Sequence, residues 1–337
     1  MYPLTPLLSS LTLGIAFSAL PIQDCQAAPA KSGTLRIDGS STVFPITEAV
    51  AEEFRAVAPG IPVTVGISGT GGGFKKFLAG EIDIVNASRP IKSSELEFAQ
   101  MSNIAFIELP VAYDALSVVV NKKTDWLDSI TVAELKKIWA PEAQGVVKKW
   151  SDIRSTFPDK PIQLYGPGTD SGTFDYFTEV INGKEDACRA DYTSSEDDNV
   201  LVTGVAGNEG ALGFFGLAFY EGNKERLKVL AVDDENPVNG AGPQLPNAAS
   251  VLSGSYSPLA RPLFIYVRAD ALERPEVAKF VSFYLDKAQE LAAEVGYLAL
   301  ANDTMGKVRN RLSAKTQGSL FDGTSSKKGV SLNSILE

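Results

Sequence analysis

Ser171, Gly172 and Thr173 stand where an extended run gives way to a helix-forming one. Residues 162–165, Ile-Gln-Leu-Tyr, read as a short strand that breaks at Gly166-Pro167-Gly168, and Phe174, Phe177 and Ile181 then recur at helical spacing. Ser171 is a good N-cap. The first N–H groups of a helix, here near Gly172, Thr173 and Phe174, have no intrahelical acceptor and lie at the positive end of its dipole. Such an end holds an anion; two hydroxyls add donors, and Gly172 lets the backbone come close. A plain Ser-capped helix would show the same residues, so one copy of the motif decides little.

The device recurs. Residues 34–37 read as a strand that feeds Asp38-Gly39-Ser40-Ser41-Thr42-Val43 and then a helix over 46–57, in which Ile46, Val50, Phe54 and Val57 repeat. Residues 63–67 lead into a loop, Ser68-Gly69-Thr70-Gly71-Gly72-Gly73, and a short helix over 74–78. Neither run ends in Gly-Lys-Ser/Thr, which argues against a nucleotide phosphate loop. After a strand over 81–85, Ser88-Arg89-Pro90 sets an arginine behind the strand end. Its planar fork suits an oxyanion or a neighbouring carboxylate, and both readings stay open.

What the chain lacks narrows the chemistry. No histidine occurs, which removes a Ser-His-Asp triad, histidine metal ligands and a histidine base, and weakens any hydrolase reading of Ser171. No lysine stands in the Ser171 loop to serve instead. Glu196-Asp197-Asp198-Asn199 lacks the spacing of a calcium loop and reads as a solvated loop and helix cap, so neither metal nor cofactor is expected. With 31 Lys and Arg against 41 Asp and Glu, the formal charge is −10, and an acidic chain without a basic run is not expected to bind nucleic acid.

Residues 1–30 read as an export signal. Residues 7–20 are apolar, uncharged and too short to span a membrane, and Ala28-Pro29-Ala30 has the small-x-small pattern of a cleavage site. Cleavage and a periplasmic destination are expected; lipid attachment at Cys25 is the alternative, against which stand Gln23 and Asp24. Cleavage would remove one charged residue, Asp24, taking −10 to −9, and would leave Cys188 without a disulfide partner. The rest, about 300 residues, suffices for two domains.

Further along come a helix over 94–101, a strand over 104–107 and a long extended segment over 110–121. A helix over 131–139 opens with the capping box Thr131 to Glu134. Strands are expected over 228–232 and 262–267, helices over 275–285 and 288–295, and a loose tail over 315–328. Segments 110–121 and 262–267 read as crossings between two domains.

IDGSSTVFPITEAV, GISGTGGGFKKFLAGEIDIVNASRPI, YGPGTDSGTFDYF and EDDNVLVTGVAGNEGALGFFGLAFY, in this order, resemble the periplasmic phosphate-binding proteins of bacterial ABC importers over nearly the whole mature chain. The resemblance implies an α/β, type II periplasmic-binding-protein fold: two lobes with mixed sheets, joined by two crossover strands and closing on the anion. Lobe one would comprise 31–115 and 262–337, and lobe two 116–261. It implies a monomer that takes inorganic phosphate and delivers it to an ABC permease in the inner membrane. Carried over by motif, the anion would lie among Ser41, Thr42, Val43, Ser68, Thr70, Ser88 and Arg89 of lobe one and Asp170, Ser171, Gly172 and Thr173 of lobe two.

The chain departs from the long-chain branch of that family, which has an aspartate where Arg89 stands and an arginine where Gly166-Pro167 stands; the charge partners are exchanged between lobes. Phosphate keeps a proton at neutral pH and sulfate does not, so an ionised carboxylate accepts from one and repels the other. Asp170 suits that role, with Asp38 as rival. A receptor or sensor for sulfate or molybdate, and a secreted phosphatase with Ser171 as nucleophile, are the alternatives.

Overall fold

The computed structural model describes residues 33–169, 171–195, 197–321 and 332–336. The expected export signal therefore lies outside the described residues, as does Asp170. In chain order the elements are β1 (Leu35–Gly39), α1 (Phe44–Val57), β2 (Val63–Val65), α2 (Gly69–Leu78), β3 (Ile84–Ala87), α3 (Ser93–Met101) and β4 (Phe106–Asn121). Next come β5 (Ser129–Thr131), α4 (Val132–Trp139), β6 (Gln163–Gly166), α5 (Gly172–Asn182), β7 (Thr193–Ser194), α6 (Asp198–Gly207), β8 (Ala211–Gly216) and α7 (Leu217–Glu221). The last are β9 (Leu227–Val229), β10 (Ala231–Asp233), α8 (Ala248–Ser253), β11 (Ala260–Arg268), α9 (Pro275–Glu294), β12 (Leu298–Ala299), α10 (Asn302–Ser313) and α11 (Leu332–Ile335).

Ten strands form one mixed sheet along the path β2-β1-β3-β11-β4-β8-β6-β7, with β9 and β12 also on β4; β5 and β10 pair separately. β1 runs parallel to both β2 and β3, and parallel neighbours need a crossover, which α1 and α2 provide. The carboxyl ends of these three strands therefore open on the same side, where α/β sheets bind ligands. α1 buries Ile46, Val50 and Phe54 of the expected stripe, with Ala51 beside them, while Val57 at its end is exposed; Phe54 meets Phe280 of α9 edge-on at 5.1 Å.

β4 is buried along its whole length and is one strand, where two pieces, 104–107 and 110–121, are expected from the sequence. Pro110 causes the difference. A proline cannot donate to a ladder, but the register slips here, with Phe264 opposite Pro110 and Leu263 opposite Ala112, and a bulge accommodates it. Along β4 the partner then changes: Ala115 pairs with Ala260 of β11, and Leu116 pairs with Gly216 of β8.

Three further expectations are corrected. The glycine-rich run 68–73 is not a loop, since α2 begins at Gly69. A Cβ on Gly73 would come within 2.6 Å of Gly39 Cα and 2.7 Å of Val85 Cγ2, so close packing on β1 and β3 selects glycine and outweighs its low helix propensity. Residues 275–285 and 288–294 belong to one helix, α9, with Val295 as its C-cap; Asp286 and Lys287 between them occupy its wetter face. The start of the expected loose tail is fastened to β4, with Gly318 N–H on Phe106 O at 2.9 Å and Ser319 Oγ on Glu108 Oε2 at 2.8 Å. Residues 322–331 lie outside the described residues. No helix among the described residues is long and apolar enough to cross a membrane.

Candidate functional site

β1 ends at Gly39, whose φ is +139° and whose missing Cβ would lie 2.2 Å from Asn86 O; only glycine lets β1 and β3 converge this closely. Ser40 N–H then donates to Asn86 O at 3.0 Å, and Phe44 N–H returns to Ser40 O at 3.1 Å, wrapping Ser41-Thr42-Val43 into a tight turn ahead of α1. The Val43 side chain is buried in the core, so only its backbone is available to a ligand. No side-chain cap closes α1 or α2, whose first N–H groups lack intrahelical acceptors. α5 is capped as expected, Ser171 Oγ accepting from Thr173 N–H at 3.2 Å.

The second and third loops are tied together. Thr70 Oγ1 accepts Ser88 N–H at 3.2 Å and lies 3.0 Å from Ser88 Oγ. Arg89 closes on Glu95, Nη1 to Oε2 at 2.9 Å and Nη2 to Oε1 at 2.8 Å, with Nη1 also on Pro90 O at 3.1 Å. Of the two readings of this fork, the carboxylate pair is the one seen. Its guanidinium rests 5.4 Å from the Phe74 ring centroid, beside Gly71. Ser68 is exposed and its hydroxyl donates to Asp38 Oδ1, while Asp38 Oδ2 receives Lys76 Nζ at 2.7 Å.

The motif before α5 meets the turn before α1. A Cβ on Gly172 would stand 2.3 Å from Thr42 Oγ1 and 2.9 Å from both Ser41 Oγ and Thr42 N. Arg261 of β11 joins the two: Nη2 donates to Thr42 Oγ1 at 3.0 Å and to Gly172 O at 3.3 Å. Its Nε faces Asp114 Oδ2 at 3.4 Å, and its guanidinium lies 3.6 Å from the Tyr176 ring centroid. Burial pushes the Asp114 carboxyl up from the usual range, with the Arg261 charge working against it. Two residues past Thr173, burial and the carboxylates of Asp186 and Glu185 push Asp175 up to about 6.

Arg261 escapes a motif search because it stands inside a strand, past the run Ser253-Gly254-Ser255-Tyr256-Ser257-Pro258, and not in a loop that opens a helix. Its signal is subtler: β4 and β11 are largely apolar strands with two charges each, Glu108 and Asp114 on one and Arg261 and Arg268 on the other, and Asp114 stands opposite Arg261. The chain thus brings Ser41, Thr42 and Gly172 together with Arg261, ties Thr70, Ser88 and Arg89 into a neighbouring group, and turns Ser68 to Asp38. The acidic run is a helix cap where described, Asp197 Oδ1 accepting Asn199 N–H at 2.9 Å; Glu196 is outside the described residues.

Comparison with known proteins gives concordant relatives. A family model described as a PBP superfamily domain matches residues 25–288. Protein SphX of Synechococcus elongatus is 50% identical over 312 residues, covering 92% of this chain and 90% of that protein. The phosphate-binding protein PstS of Staphylococcus aureus is 38% identical over 273 residues, covering 81% of this chain and 80% of its own. A crystal structure described as a possible phosphate binding protein from Planctomyces limnophilus is 48% identical, with a TM-score of 0.81, and covers 85% of this chain and 100% of that one.

Proposed function

The chain belongs to the PBP superfamily, with a type II periplasmic-binding α/β fold, and from that premise we propose that it captures inorganic phosphate outside the cytoplasm for delivery to an ABC permease. One observation carries the reading. The turn before α1 and the first residue of α5, far apart in sequence, are in contact, and each presents hydroxyls and helix-start N–H groups. Such a convergence supplies many neutral donors to one small anion. It is suited to binding, and the chain has no histidine to serve as a general base.

The two-lobe arrangement, 31–115 with 262–337 against 116–261, is supported by β4, whose partner changes from β11 to β8 between Ala115 and Leu116. Export by residues 1–30, monomeric action and the ligand set Ser41, Thr42, Val43, Thr70, Ser88, Arg89, Ser171, Gly172 and Thr173 are part of the same proposal. Ser68 is a weaker member, since its hydroxyl is committed to Asp38. Asp170 remains the proposed acceptor for the phosphate proton, because its rival Asp38 is engaged by Lys76 and Ser68.

Calorimetry and thermal melting with phosphate, sulfate and molybdate test this. Phosphate should stabilise the chain by mass action, about 2.7 kcal/mol at a hundredfold excess over Kd, and sulfate should not. Asp170→Asn should lose about tenfold of that preference, roughly 1.4 kcal/mol. Equal responses to all three anions, or phosphatase turnover abolished by Ser171→Ala, would overturn the reading.

A further inference from the structure

Arg261 lies in no sequence motif, yet it touches both loops of the proposed site. We infer that Arg261 is a positioning residue for the anion: it locks the turn before α1 to the start of α5 and aims the Thr42 hydroxyl at the ligand. This rests on the phosphate reading above and adds a residue and a role to it.

The geometry fixes the guanidinium on two sides. One face lies on Tyr176, 3.6 Å from the ring centroid, and Nε faces Asp114, leaving the Nη2 edge toward the loops. A planar fork held in this way is preorganised, so little freedom is lost when it donates. Its two acceptors differ in what they pass on. Gly172 offers a carbonyl, a mechanical tie to α5. Thr42 offers a hydroxyl, and a hydroxyl that accepts through its oxygen turns its own proton elsewhere, where it is a donor. Arg261 thereby makes Thr42 a donor, which is what an anion requires.

Stability is a poor explanation for the Asp114–Arg261 pair. Their side chains are 3% and 11% exposed, and apolar residues serve such buried positions as well or better. Two opposed charges on the two crossing strands, beside the contact of both loops, point instead to a role in the site. A lysine at 261 could keep the pairing with Asp114 but not the fork that reaches Thr42 and Gly172 together.

The experiment is calorimetry with inorganic phosphate on the full chain, its Arg261→Lys and Arg261→Gln variants, and a cycle with Thr42→Val, with melting temperatures recorded in the absence of phosphate. Both Arg261 variants should bind phosphate about tenfold or more weakly, the scale of a lost charge-assisted bond; Arg261→Lys, which keeps a cation beside Asp114, should melt within a few degrees of the parent, and Arg261→Gln, which leaves that buried carboxyl unpaired, should melt lower. Thr42→Val should cost much in the parent and little in Arg261→Gln, because the hydroxyl is no longer aimed. If Arg261→Gln fails to fold, Arg261→Lys and its cycle with Thr42→Val carry the same test. Parental affinity in the variants, or additive effects in the cycle, overturns the inference while the phosphate reading stands. A parent that binds no phosphate sinks that reading and the inference with it.

Discussion

Arg89 and Glu95 hold each other through two parallel bonds of 2.9 and 2.8 Å, and Glu95 also accepts Lys92 N–H at 2.8 Å, closing the first turn of α3 onto the end of β3. An anion that uses this fork must displace a carboxylate of its own sign. Glu95→Gln removes that competitor's charge and keeps its shape, so phosphate affinity should rise severalfold. Arg89→Ala should weaken binding and also lower stability by roughly 1–3 kcal/mol, since Glu95 loses its partner in a largely buried place. Calorimetry and melting on the two variants check this; unchanged affinity in both would mean that the fork serves α3 alone.

Asp175 supplies a pH dependence. Its folded value, about 6, lies above the ordinary 3.8, with burial as the first cause and neighbouring carboxylates as the next. The folded chain therefore holds a proton that the unfolded chain releases between these values. The stability contributed is fully present below pH 3.8 and is lost as pH rises through about 6. Asp175→Asn should flatten the stability profile between about pH 4 and 6 and raise the melting temperature at neutral pH. A profile in that window identical to the parent's would show that Asp175 does not titrate there.

Much of this was legible in the sequence because local chemistry fixed it. Ser171 and Thr131 cap their helices by the bonds that their spacing implies, and the stripe from Ile46 to Phe54 faces the core. The failures have tertiary causes. Gly69 to Gly73 are helical despite their composition, with Gly73 required by close packing on β1 and β3, and Pro110 sits inside a strand because β11 slips its register opposite. Arg261 was missed for a similar reason: its meaning comes from Asp114 across the ladder and from two loops distant in sequence, and no local pattern records either.

Glu108 tests how the C-terminal segment is held. It is fully buried in β4, accepts Ser319 Oγ at 2.8 Å and Leu320 N–H at 3.1 Å, and its own carbonyl receives Arg311 Nε at 3.0 Å. Glu108→Ala leaves the hydroxyl and the N–H, both partly buried, without this acceptor, at up to about 1–3 kcal/mol each. Melting should fall accordingly, amides near Leu320 should exchange faster, and phosphate affinity should stay near the parent's, because this clasp lies outside the ligand set. Unchanged exchange near Leu320 would show that other contacts hold the segment.

Gly172 separates stability from closure. It is the first residue of α5, and a Gly-to-Ala change in a helix ordinarily gains up to about 1 kcal/mol. The added Cβ, however, would stand 2.3 Å from Thr42 Oγ1 and 2.9 Å from Thr42 N, and a backbone atom cannot swing aside as a side chain can. The two loops must separate, while the helix itself keeps its residues and its Ser171 cap. Gly172→Ala should therefore melt at or above the parent's temperature and bind phosphate more weakly by about tenfold or more, a loss of roughly 1.4 kcal/mol or more. Small-angle scattering should show the phosphate-loaded variant less compact than the loaded parent. If Gly172→Ala instead binds with parental affinity, the contact between the turn before α1 and the start of α5 does not govern capture of the anion.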